Sequence, residues 1–378
     1  MRIARVDVFP IALPMKAVLT LPRGASHALD VGRRSSVVKV TADDGTVGWG
    51  ESMPSPRWSA ETLESCVAAQ RRYLGPAVIG HDAFDIAGLH ARMDRELAPL
   101  FDPGQPIAKC AIDVAVHDMV CRRLGITLQA WLGSKRRNSV QLARLVSASS
   151  PEEAARITRE AHAEGYRGFK VKVGHAPEKD EAIMRAVVEA AEGGFVWPDA
   201  NQGYDVETAI AKARSFERLG ITLFEQPLPV TDIAGLQRLM RLTGLTIALD
   251  ESVLSAPMLL DFLKRDLVQG IAIKLGKVGG IHHARRICDL AQAAGVRLIG
   301  SGLMDPPLGF AASVHLFAAY GIDLPVDLNG PQHIAEDYLA EPLPIRRQEA
   351  FVPEAPGLGV VVDEAKLARF ALDVGLPA

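Results

Sequence analysis

The spacing of hydrophobic and polar positions changes once along the chain, near residue 139. The part before it opens with a β-prone run, Ile3 to Leu13, and continues with two short runs that meet at Asp44-Gly45, a dipeptide typical of a hairpin turn. Apolar residues then recur every three or four positions, which predicts helices over residues 60–73, 83–96 and 106–124. An α+β domain is therefore expected first.

From residue 139 onward, short apolar runs alternate with amphipathic helical stretches. Such alternation predicts parallel strands, and about eight strand–helix units close into a (β/α) barrel. We expect the α+β domain to span residues 1–125, the barrel residues 126–335, and the tail, residues 336–378, to pack back on the first domain. The loops 18–34 and 50–58 are expected to cover the barrel mouth and to select the substrate.

Composition and charge exclude several classes of function. The 378 residues are 48% hydrophobic and 23% charged, as in ordinary globular proteins, and the formal net charge of −3 offers no basic surface to a nucleic acid. No apolar run reaches the roughly 18 residues of a membrane helix, and Pro10, Pro14 and Lys16 interrupt the first one, so we expect neither export nor a membrane partner. Four cysteines without metal or disulfide spacing favour a cytoplasmic protein: Cys66, Cys110, Cys121 and Cys288.

Polar residues recur at the ends of the strand-like runs, one per strand–helix unit. Successive members are 24 to 27 residues apart; they are Lys172, Asp199, Glu225, Asp250, Lys274, Ser301 and Asp327. Because the strand ends of a barrel converge on one face, we expect these side chains to share one site.

Three of these residues are carboxylates at the ends of successive strands. Asp199, Glu225 and Asp250 would repel one another unless cations lay between them, and a set of oxygen ligands suits Mg²⁺ better than zinc. Each acid alone is more often a helix cap or a rim charge. Three in this arrangement favour a metal site.

Lysines flank the three carboxylates. Lys170 and Lys172 alternate on one strand and so point to the same side, where each should lower the pKa of the other until one can accept a proton near neutral pH. Lys274 ends a strand on the opposite side. This placement predicts proton transfer on two faces of a bound carbanion, whereas Lys277 is expected to be a surface side chain.

Together these residues resemble the enolase superfamily, and within it the muconate lactonizing enzyme subgroup. The resemblance extends from Gly50-Glu51-Ser52 to Ala355-Pro-Gly-Leu-Gly359 and so covers nearly the whole chain. The segments that carry it are Lys170-x-Lys172, Asp199-x-Asn201, Glu225-Gln-Pro227, Asp250-Glu251-Ser252 and Lys274 with Gly279-Gly280. They are specific for the superfamily and less so for the substrate.

The resemblance implies a modified (β/α)7β barrel, TIM-like, beneath an α+β capping domain. By the same resemblance Lys172 and Lys274 are the acid/base groups on the two faces, and Lys170 contacts the substrate carboxylate and tunes Lys172. A homo-oligomer built from dimers, up to an octamer, is implied as well. The implied cofactor is Mg²⁺, or Mn²⁺ in its place, which would hold the substrate carboxylate and stabilise an enediolate; its ligands would be Asp199, Glu225 and Asp250.

Two departures from the family pattern narrow the substrate. Residues 301–305 contain no histidine, which disfavours mandelate racemase chemistry, and Asp327-Leu-Asn329 lacks the Asp-x-Asp of dipeptide epimerases. Cationic residues in the capping loops, Arg33 among them, favour a dicarboxylate. The substrate-binding candidates are Asn201, Glu251, Ser301, Asp305, Asp327, Arg23 and Arg57.

We therefore expect a muconate cycloisomerase-like enzyme that acts on a small dicarboxylate, with Lys172 exchanging the α-proton. The alternative is an N-acyl, for example N-succinyl, amino acid racemase, which needs both Lys172 and Lys274; another epimerase or a dehydratase of the subgroup stays open. A Schiff-base barrel aldolase is weaker because it leaves the three acids unexplained. A non-catalytic binding protein is weaker because the site is complete.

Overall fold

The computed structural model describes residues 1–16, 20–21, 24–25, 31–99 and 103–376. A π-helical turn, Gln70–Leu74, joins the first two helices. The strands are β1 (Ile3–Leu13), β2 (Thr20–Leu21), β3 (Gly24–Ala25), β4 (Arg33–Ala42), β5 (Val47–Ser52), β6 (Ser139–Gln141), β7 (Arg144–Val146), β8 (Gly168–Lys172), β9 (Phe195–Asp199), β10 (Leu223–Glu225), β11 (Thr246–Leu249), β12 (Gly270–Ile273), β13 (Arg297–Gly300), β14 (Ile345–Arg346) and β15 (Glu349–Phe351). The helices are α1 (Leu63–Ala69), α2 (Gly75–Val78), α3 (Ile86–Glu96), α4 (Pro106–Leu124), α5 (Leu128–Trp131), α6 (Pro151–Ala163), α7 (Pro177–Ala190), α8 (Val206–Arg218), α9 (Ile233–Leu242), α10 (Ala256–Lys264), α11 (Leu275–Val278), α12 (Ile281–Ala293), α13 (Pro307–Tyr320), α14 (Gly330–His333) and α15 (Glu364–Arg369).

The antiparallel sheet β1-β4-β5 is the base of the capping domain. The chain turns between β4 and β5 at Gly45, whose φ of +84° suits a tight turn, so the predicted hairpin is confirmed. Helix α4 packs directly on β5 because two glycines leave room for it: a Cβ on Gly48 would lie 2.1 Å from Ala115 O, and one on Gly50 would lie 2.0 Å from Ala111 O. The loop that follows β5 therefore starts from a closely packed base.

The helices of this domain confirm the prediction, with changes at their ends. Helix α1 begins at Leu63 rather than near residue 60, because the Thr62 side chain accepts a hydrogen bond from Ser65 N and caps the helix there. Helix α4 has the predicted limits and ends before Gly125, whose φ is +68°.

Seven parallel strands, in the order β7-β8-β9-β10-β11-β12-β13, form the wall of the barrel. Val326 and Asp327 close it as a short eighth strand, through single parallel bridges to Leu142 and Ser301. The molecule is thus an α/β protein, a (β/α)7β TIM-like barrel with an N-terminal α+β capping domain, as the resemblance implied.

A small apolar layer fills the barrel beneath the strand ends. It is separate from the large core between the sheet and the surrounding helices, and it consists of Ala143, Trp197, Leu223, Ala248 and Ile299. Trp197 is fully buried, and its indole N–H donates to Glu225 Oε2 at 2.9 Å. The floor of the barrel mouth is therefore rigid, apolar and tied to one of the predicted metal ligands.

The tail contacts both domains. The first apolar run after residue 139 forms two strands: β7 joins the barrel, while β6 pairs with β15 of the tail. On the other side, Ala12 N donates to Phe370 O at 3.0 Å and links the tail to β1. The domain limits at residues 125 and 335 stay a prediction.

Among the described residues, no helix combines the length and the apolar character needed to cross a membrane.

Candidate active site

Adjacent parallel strands bring the predicted acids and lysines to one edge of the barrel. Lys172 on β8 lies in register with Asp199 on β9, and Asp199 lies in register with Glu225 on β10. Asp250 directly follows β11, and Lys274 directly follows β12. Because these residues end neighbouring strands, their side chains converge at the barrel mouth. Asp199, Glu225 and Asp250 are all completely buried there.

Lys170 lies at the centre of the carboxylates. Its Nζ donates to Glu225 Oε1 at 2.7 Å and lies 3.0 Å from Asp199 Oδ2 and 2.8 Å from Asp327 Oδ2. Burial lowers the pKa of Lys170, but the surrounding carboxylates outweigh it and hold the pKa well above its usual value. The expected low pKa of this lysine is therefore wrong: Lys170 is a fixed ammonium shared by three carboxylates.

Lys172 lies on one side of the site and is held by two contacts. Its Nζ donates to Asp199 Oδ2 and to Asn201 Oδ1, each at 2.6 Å. Asn201 has a left-handed backbone, φ +40°, and its N–H donates to Asp199 Oδ1 at 3.0 Å, so the loop after β9 folds back on the acid. Asn201 thus contacts the lysine in the structure.

Lys274 lies on the opposite side. Its Nζ is 2.5 Å from Asp250 Oδ2 and 4.3 Å from the ring centre of Trp58, a residue of the capping-domain loop after β5. Burial lowers the pKa of Lys274, but the charges of Asp250, Glu225 and Glu251 together outweigh it, and the pKa lies above its usual value. One of the two predicted acid/base groups is therefore covered by the capping domain.

The expectation of a surface position for Lys277 is wrong. This side chain is 2% exposed, and its Nζ donates to Asp250 O at 2.6 Å and to Asp250 Oδ1 at 2.8 Å. Lys274 and Lys277 are three residues apart across a helical turn, so both can reach one carboxylate. That spacing was the signal in the sequence, and together the two lysines occupy both oxygens of Asp250.

The three acids respond differently to this arrangement. Burial raises the pKa of Asp199, but Lys170 and Lys172 bring it down to about 2. The pKa of Asp250 is lowered as well, because the nearby lysines outweigh its burial. The pKa of Glu225 is raised by burial and by the charge of Asp199, which the lysine contact only partly offsets. Glu225 is therefore the member that most needs an additional cation.

Asp199, Glu225 and Asp250 fit a hard divalent cation by their chemistry, since every available donor is a carboxylate oxygen. In the described part of the chain, however, no group of three or more His, Cys, Asp and Glu side chains is placed so that it could hold a metal ion. The geometry gives the reason: Lys170 Nζ lies between Asp199 and Glu225, and Lys274 Nζ lies against Asp250. A cation must displace lysine contacts in order to bind here.

Other predicted substrate-binding residues lie around the mouth with different partners. Glu251 Oε1 accepts a long hydrogen bond, 3.3 Å, from Asn201 Nδ2, while its Oε2 is buried without a partner. Burial and the charge of Asp250 raise the pKa of Glu251 to about 7. Ser301 Oγ donates to Asp327 Oδ2 at 3.4 Å, so these two residues contact each other.

The hydrogen bonds of Asp305 go to residues outside the cluster of acids and lysines. Its two oxygens accept from Leu303 N at 2.7 Å and Ser313 Oγ at 3.2 Å, and the residue is 1% exposed. These contacts fix the turn between β13 and α13. Its predicted role in substrate binding remains a prediction.

The cationic residues of the capping loops differ in what the structure shows of them. Arg23 lies outside the described residues, and Arg57 is exposed, so their roles in substrate binding stay predictions. Arg33 is buried, and its guanidinium donates to the carbonyl oxygens of Pro54, Leu303 and Met304 at 2.8 to 3.0 Å. Arg33 therefore joins the capping domain to the barrel, and the expectation that it favours a dicarboxylate is wrong.

Sequence reasoning missed two aromatic residues of the site. Trp58 stood at the edge of a predicted loop and Trp197 inside a predicted strand, and neither was singled out. Trp197 immediately precedes the Pro-Asp199 end of β9, so its position on the strand could have placed it below the acids. Nothing local in the sequence could have placed Trp58 over Lys274, since that contact joins the two domains.

Comparison with known proteins assigns the chain to a family. The family model described as mandelate racemase / muconate lactonizing enzyme, N-terminal domain, matches residues 19–133, and the model described as enolase C-terminal domain-like matches residues 152–366. A chloromuconate cycloisomerase of Cupriavidus necator is 32% identical over 340 residues, which cover 88% of this chain and 90% of that protein.

Two solved structures are similar over their whole length. The N-succinyl Arg/Lys racemase of Bacillus cereus has a TM-score of 0.92 at 26% identity, over 99% of both chains. The 2-chloromuconate cycloisomerase of Rhodococcus opacus has a TM-score of 0.91 at 27% identity, over 99% of this chain and 100% of that one. The chain therefore belongs to the enolase superfamily, in its muconate lactonizing enzyme subgroup.

Proposed function

We propose that this protein is a divalent-metal-dependent isomerase or lyase of muconate cycloisomerase type, which exchanges the proton on the carbon α to a carboxylate. One observation carries the proposal: Lys172 and Lys274 lie on opposite sides of three completely buried carboxylates at adjacent strand ends. A planar carbanion bound between the two lysines would present one face to each of them. Members of this superfamily use a divalent metal, which agrees with the donor set.

The charges of the site support a metal and a carboxylate substrate. The ion-paired groups are four carboxylates and four ammonium groups, which cancel; they are Asp199, Glu225, Asp250, Asp327, Lys170, Lys172, Lys274 and Lys277. A bound Mg²⁺, or Mn²⁺ in its place, on Asp199, Glu225 and Asp250 would act as a Lewis acid toward the substrate carboxylate. The site would then carry a net charge of about +2, which matches an enediolate.

Lys172 is proposed to move the α-proton. Its ammonium is held at 2.6 Å by Asn201 Oδ1, a neutral acceptor that orients Nζ without fixing its charge. Asp199 is the charged partner of Lys172, and a divalent cation on Asp199 would compete for that contact. Lys170 keeps its contact to Asp327 and remains a cation beside the carboxylate of the substrate.

The substrate is proposed to be a small dicarboxylate. The support is that relatives similar over most or all of the chain are named for chloromuconate. The choice of substrate is proposed to depend on the loop after β5, because Trp58 of that loop reaches Lys274. Glu251, with one unpartnered buried oxygen and a raised pKa of about 7, is proposed to accept a hydrogen bond from the substrate or a bound water.

The direct test is to incubate the enzyme with Mg²⁺ in D₂O and follow the products by proton NMR. The panel contains cis,cis-muconate, muconolactone and N-succinyl amino acids. Lactone formation from muconate, or deuterium exchange at the α-carbon of muconolactone, supports the proposal. No reaction of either compound, with the metal bound, excludes cycloisomerisation of unsubstituted muconate.

An N-succinyl amino acid racemase is the second candidate, and the position of Lys274 favours it. Racemisation needs one acid/base group on each face, whereas cycloisomerisation needs only one in all. In Lys274→Ala, a cycloisomerase should keep its lactone chemistry within about tenfold, and a racemase should lose turnover by about 10² or more. If the wild type incorporates deuterium into both enantiomers of the substrate and the variant into only one, the enzyme is a racemase.

A cytoplasmic, homo-oligomeric enzyme is proposed as the working form. Its location is supported by the four cysteines, which are buried free thiols. Assembly from dimers, up to an octamer, is supported by the subgroup to which the chain belongs. Light scattering on a size-exclusion column at micromolar concentration tests it, and a monomer peak contradicts it.

A further inference from the structure

Helix α12 begins without a capping side chain of its own. The residue before it, Gly280, has φ +106°, and Gly279 has φ +89°, so the chain makes a turn that favours glycine at both positions. The first N–H groups of a helix lack partners within the helix and need acceptors from elsewhere. At this buried position the acceptor must come from a neighbouring element.

Asp113 of helix α4 supplies the acceptor from the capping domain. Its Oδ2 accepts from Ile281 N at 2.5 Å, and its Oδ1 lies 3.4 Å from His282 N. The two elements approach so closely that a Cβ on Gly280 would lie 2.3 Å from Asp113 Oδ2. A carboxylate of one domain therefore takes the place of the N-cap residue in a helix of the other.

Asp113 is itself held in one orientation. It is completely buried, and His90 Nε2 of helix α3 donates to its Oδ1 at 2.7 Å. His117 Nδ1, one turn further along α4, donates to the backbone carbonyl of Asp113 at 2.8 Å. His90 and Ile281 N together occupy both carboxylate oxygens of Asp113, so the side chain cannot turn away from α12 without losing a buried hydrogen bond.

The segment that ends at this contact carries Lys274 and Lys277. Residues 274–280 run from the end of β12 through the single turn α11 to the start of α12. The first end is fixed by the pairing of Ile273 with Gly300 in the barrel, and the second by Asp113. With both ends fixed, the segment has little freedom, and the Nζ of Lys274 stays on the face opposite Lys172.

We infer that Asp113 is a positioning residue for Lys274: from the capping domain it fixes the barrel segment 274–280 and so maintains one of the two acid/base faces. For its kinetic consequence the inference rests on the racemase form of the proposed function, which uses both lysines; for its structural consequence it rests on the geometry alone. If Lys274→Ala loses no exchange, the amide exchange alone decides the inference. Among the described residues, the hydrogen bonds of Lys172 go to Asp199 and Asn201 of the barrel, so its position is not expected to depend on Asp113.

The test compares Asp113→Ala with Asp118→Asn. Asp118 is the matched control, because it is equally buried on the same helix and accepts from Trp49 N and Leu358 N, away from segment 274–280. Hydrogen–deuterium exchange with mass spectrometry follows the amides of residues 275–284 in the Mg²⁺-loaded enzyme. In Asp113→Ala they should exchange roughly tenfold faster, as expected for a lost helix N-cap, and in Asp118→Asn they should not.

The kinetic readout separates positioning from general loss of stability. Lys172→Ala and Lys274→Ala first identify which α-deuterium exchange each lysine catalyses. In Asp113→Ala the exchange that needs Lys274 should fall on the order of 100-fold, with KM within about threefold and the exchange that needs Lys172 nearly unchanged. Asp113→Asn keeps one acceptor oxygen for Ile281 N and should recover most of the loss.

Two results would overturn the inference. One is equal amide exchange of residues 275–284 in Asp113→Ala and the Asp118→Asn control. The other is an equal fall of both exchange reactions in Asp113→Ala. If Asp113→Ala does not fold, Asp113→Leu, which fills the same space but offers no acceptor to Ile281 N, is compared with the same control. If the wild-type enzyme turns over no compound of the panel, the proposed function fails, and the amide exchange alone then decides the inference.

Discussion

The two sides of the candidate site are built in different ways. Among the described residues, Lys172 donates hydrogen bonds to Asp199 and Asn201, which belong to the next strand of the barrel and the loop after it. Lys274 contacts Asp250 of the barrel but also lies under Trp58 of the capping domain. In the part of the chain that the structure describes, one lysine is thus held by the barrel, whereas the other also contacts a second domain. A family that varies its capping domain can thus change one face and keep the other.

Removal of the divalent cation should abolish proton transfer at both lysines, and it is the change with the largest expected effect. With EDTA present we expect turnover below detection, because neither lysine would have a stabilised carbanion to exchange a proton with. Turnover is measured by NMR before and after Mg²⁺ is restored. The thermal transition should remain cooperative, since four lysines already compensate the acids. Full turnover in EDTA would refute the metal assignment, and borohydride trapping of the protein with a carbonyl substrate would then test for a Schiff-base aldolase.

Lys172→Ala should impair proton transfer on the side of the site that the barrel forms. We expect turnover to fall by roughly 10²- to 10⁴-fold, the usual contribution of a general acid/base group. Mg²⁺ binding, measured by titration calorimetry, should remain, because the three carboxylates are intact. Lys264→Ala, at the exposed end of α10, is the control and should match the wild type. An active Lys172→Ala enzyme would remove this residue from the mechanism.

Trp58→Leu should affect the Lys274 side of the site alone, because Trp58 belongs to the capping domain and contacts that lysine. Loss of the aromatic face over Lys274 should slow the exchange that needs this lysine by about 3- to 30-fold, the usual range of a cation–π contact. The exchange that needs Lys172 should change less than twofold by the same physical argument. Trp58→Phe keeps an aromatic face and should lie between wild type and Trp58→Leu. Equal slowing of both exchanges would contradict the separation of the two sides.

Glu51 gives the smallest expected effect, on stability rather than on turnover. It joins the capping domain to the tail through Tyr338, whose hydroxyl donates to Oε2 at 2.6 Å, and burial raises its pKa from 4.5 to about 7. The folded protein therefore holds this proton more tightly than the unfolded chain. The resulting stability is fully present below pH 4.5 and is lost as the pH rises to about 7.

Glu51→Gln should remove this pH dependence. The wild type should lose up to about 3 kcal/mol relative to the variant across that window, from 1.36 kcal/mol per unit of pKa. Urea unfolding of both proteins at pH 5, 6, 7 and 8 measures the difference between their free energies of unfolding. A constant cost of the substitution does not affect how this difference changes with pH. A difference between the two proteins that stays constant with pH would contradict the assignment.

The sequence predicted the fold and the main residues of the site because both depend on local, periodic signals. Strand–helix alternation and one polar residue per unit place the strand ends, and the parallel topology then brings Asp199, Glu225 and Asp250 together. The contacts between lysines and acids follow from the same register. These features need no knowledge of how the two domains meet.

What the sequence could not predict depends on contacts between distant segments. Lys277 was assigned to the surface because a lysine after a strand is usually solvated, yet the capping helix α4 packs over it. Arg33 was counted as a free cation, but three carbonyl groups from two domains occupy its guanidinium. The position of Trp58 over Lys274 likewise requires the docked structure. Burial by another domain does not change the local pattern of hydrophobic and polar positions, so that pattern cannot predict it.

The short eighth strand of the barrel has a consequence for how the chain folds. Val326 closes the barrel through a single bridge to Leu142, which lies far away in sequence, and such non-local pairing is slow to form. Asp327, the next residue, pairs with Ser301 and is also a partner of the buried Lys170. Closure of the ring thus also brings the third carboxylate, after Asp199 and Glu225, to Lys170.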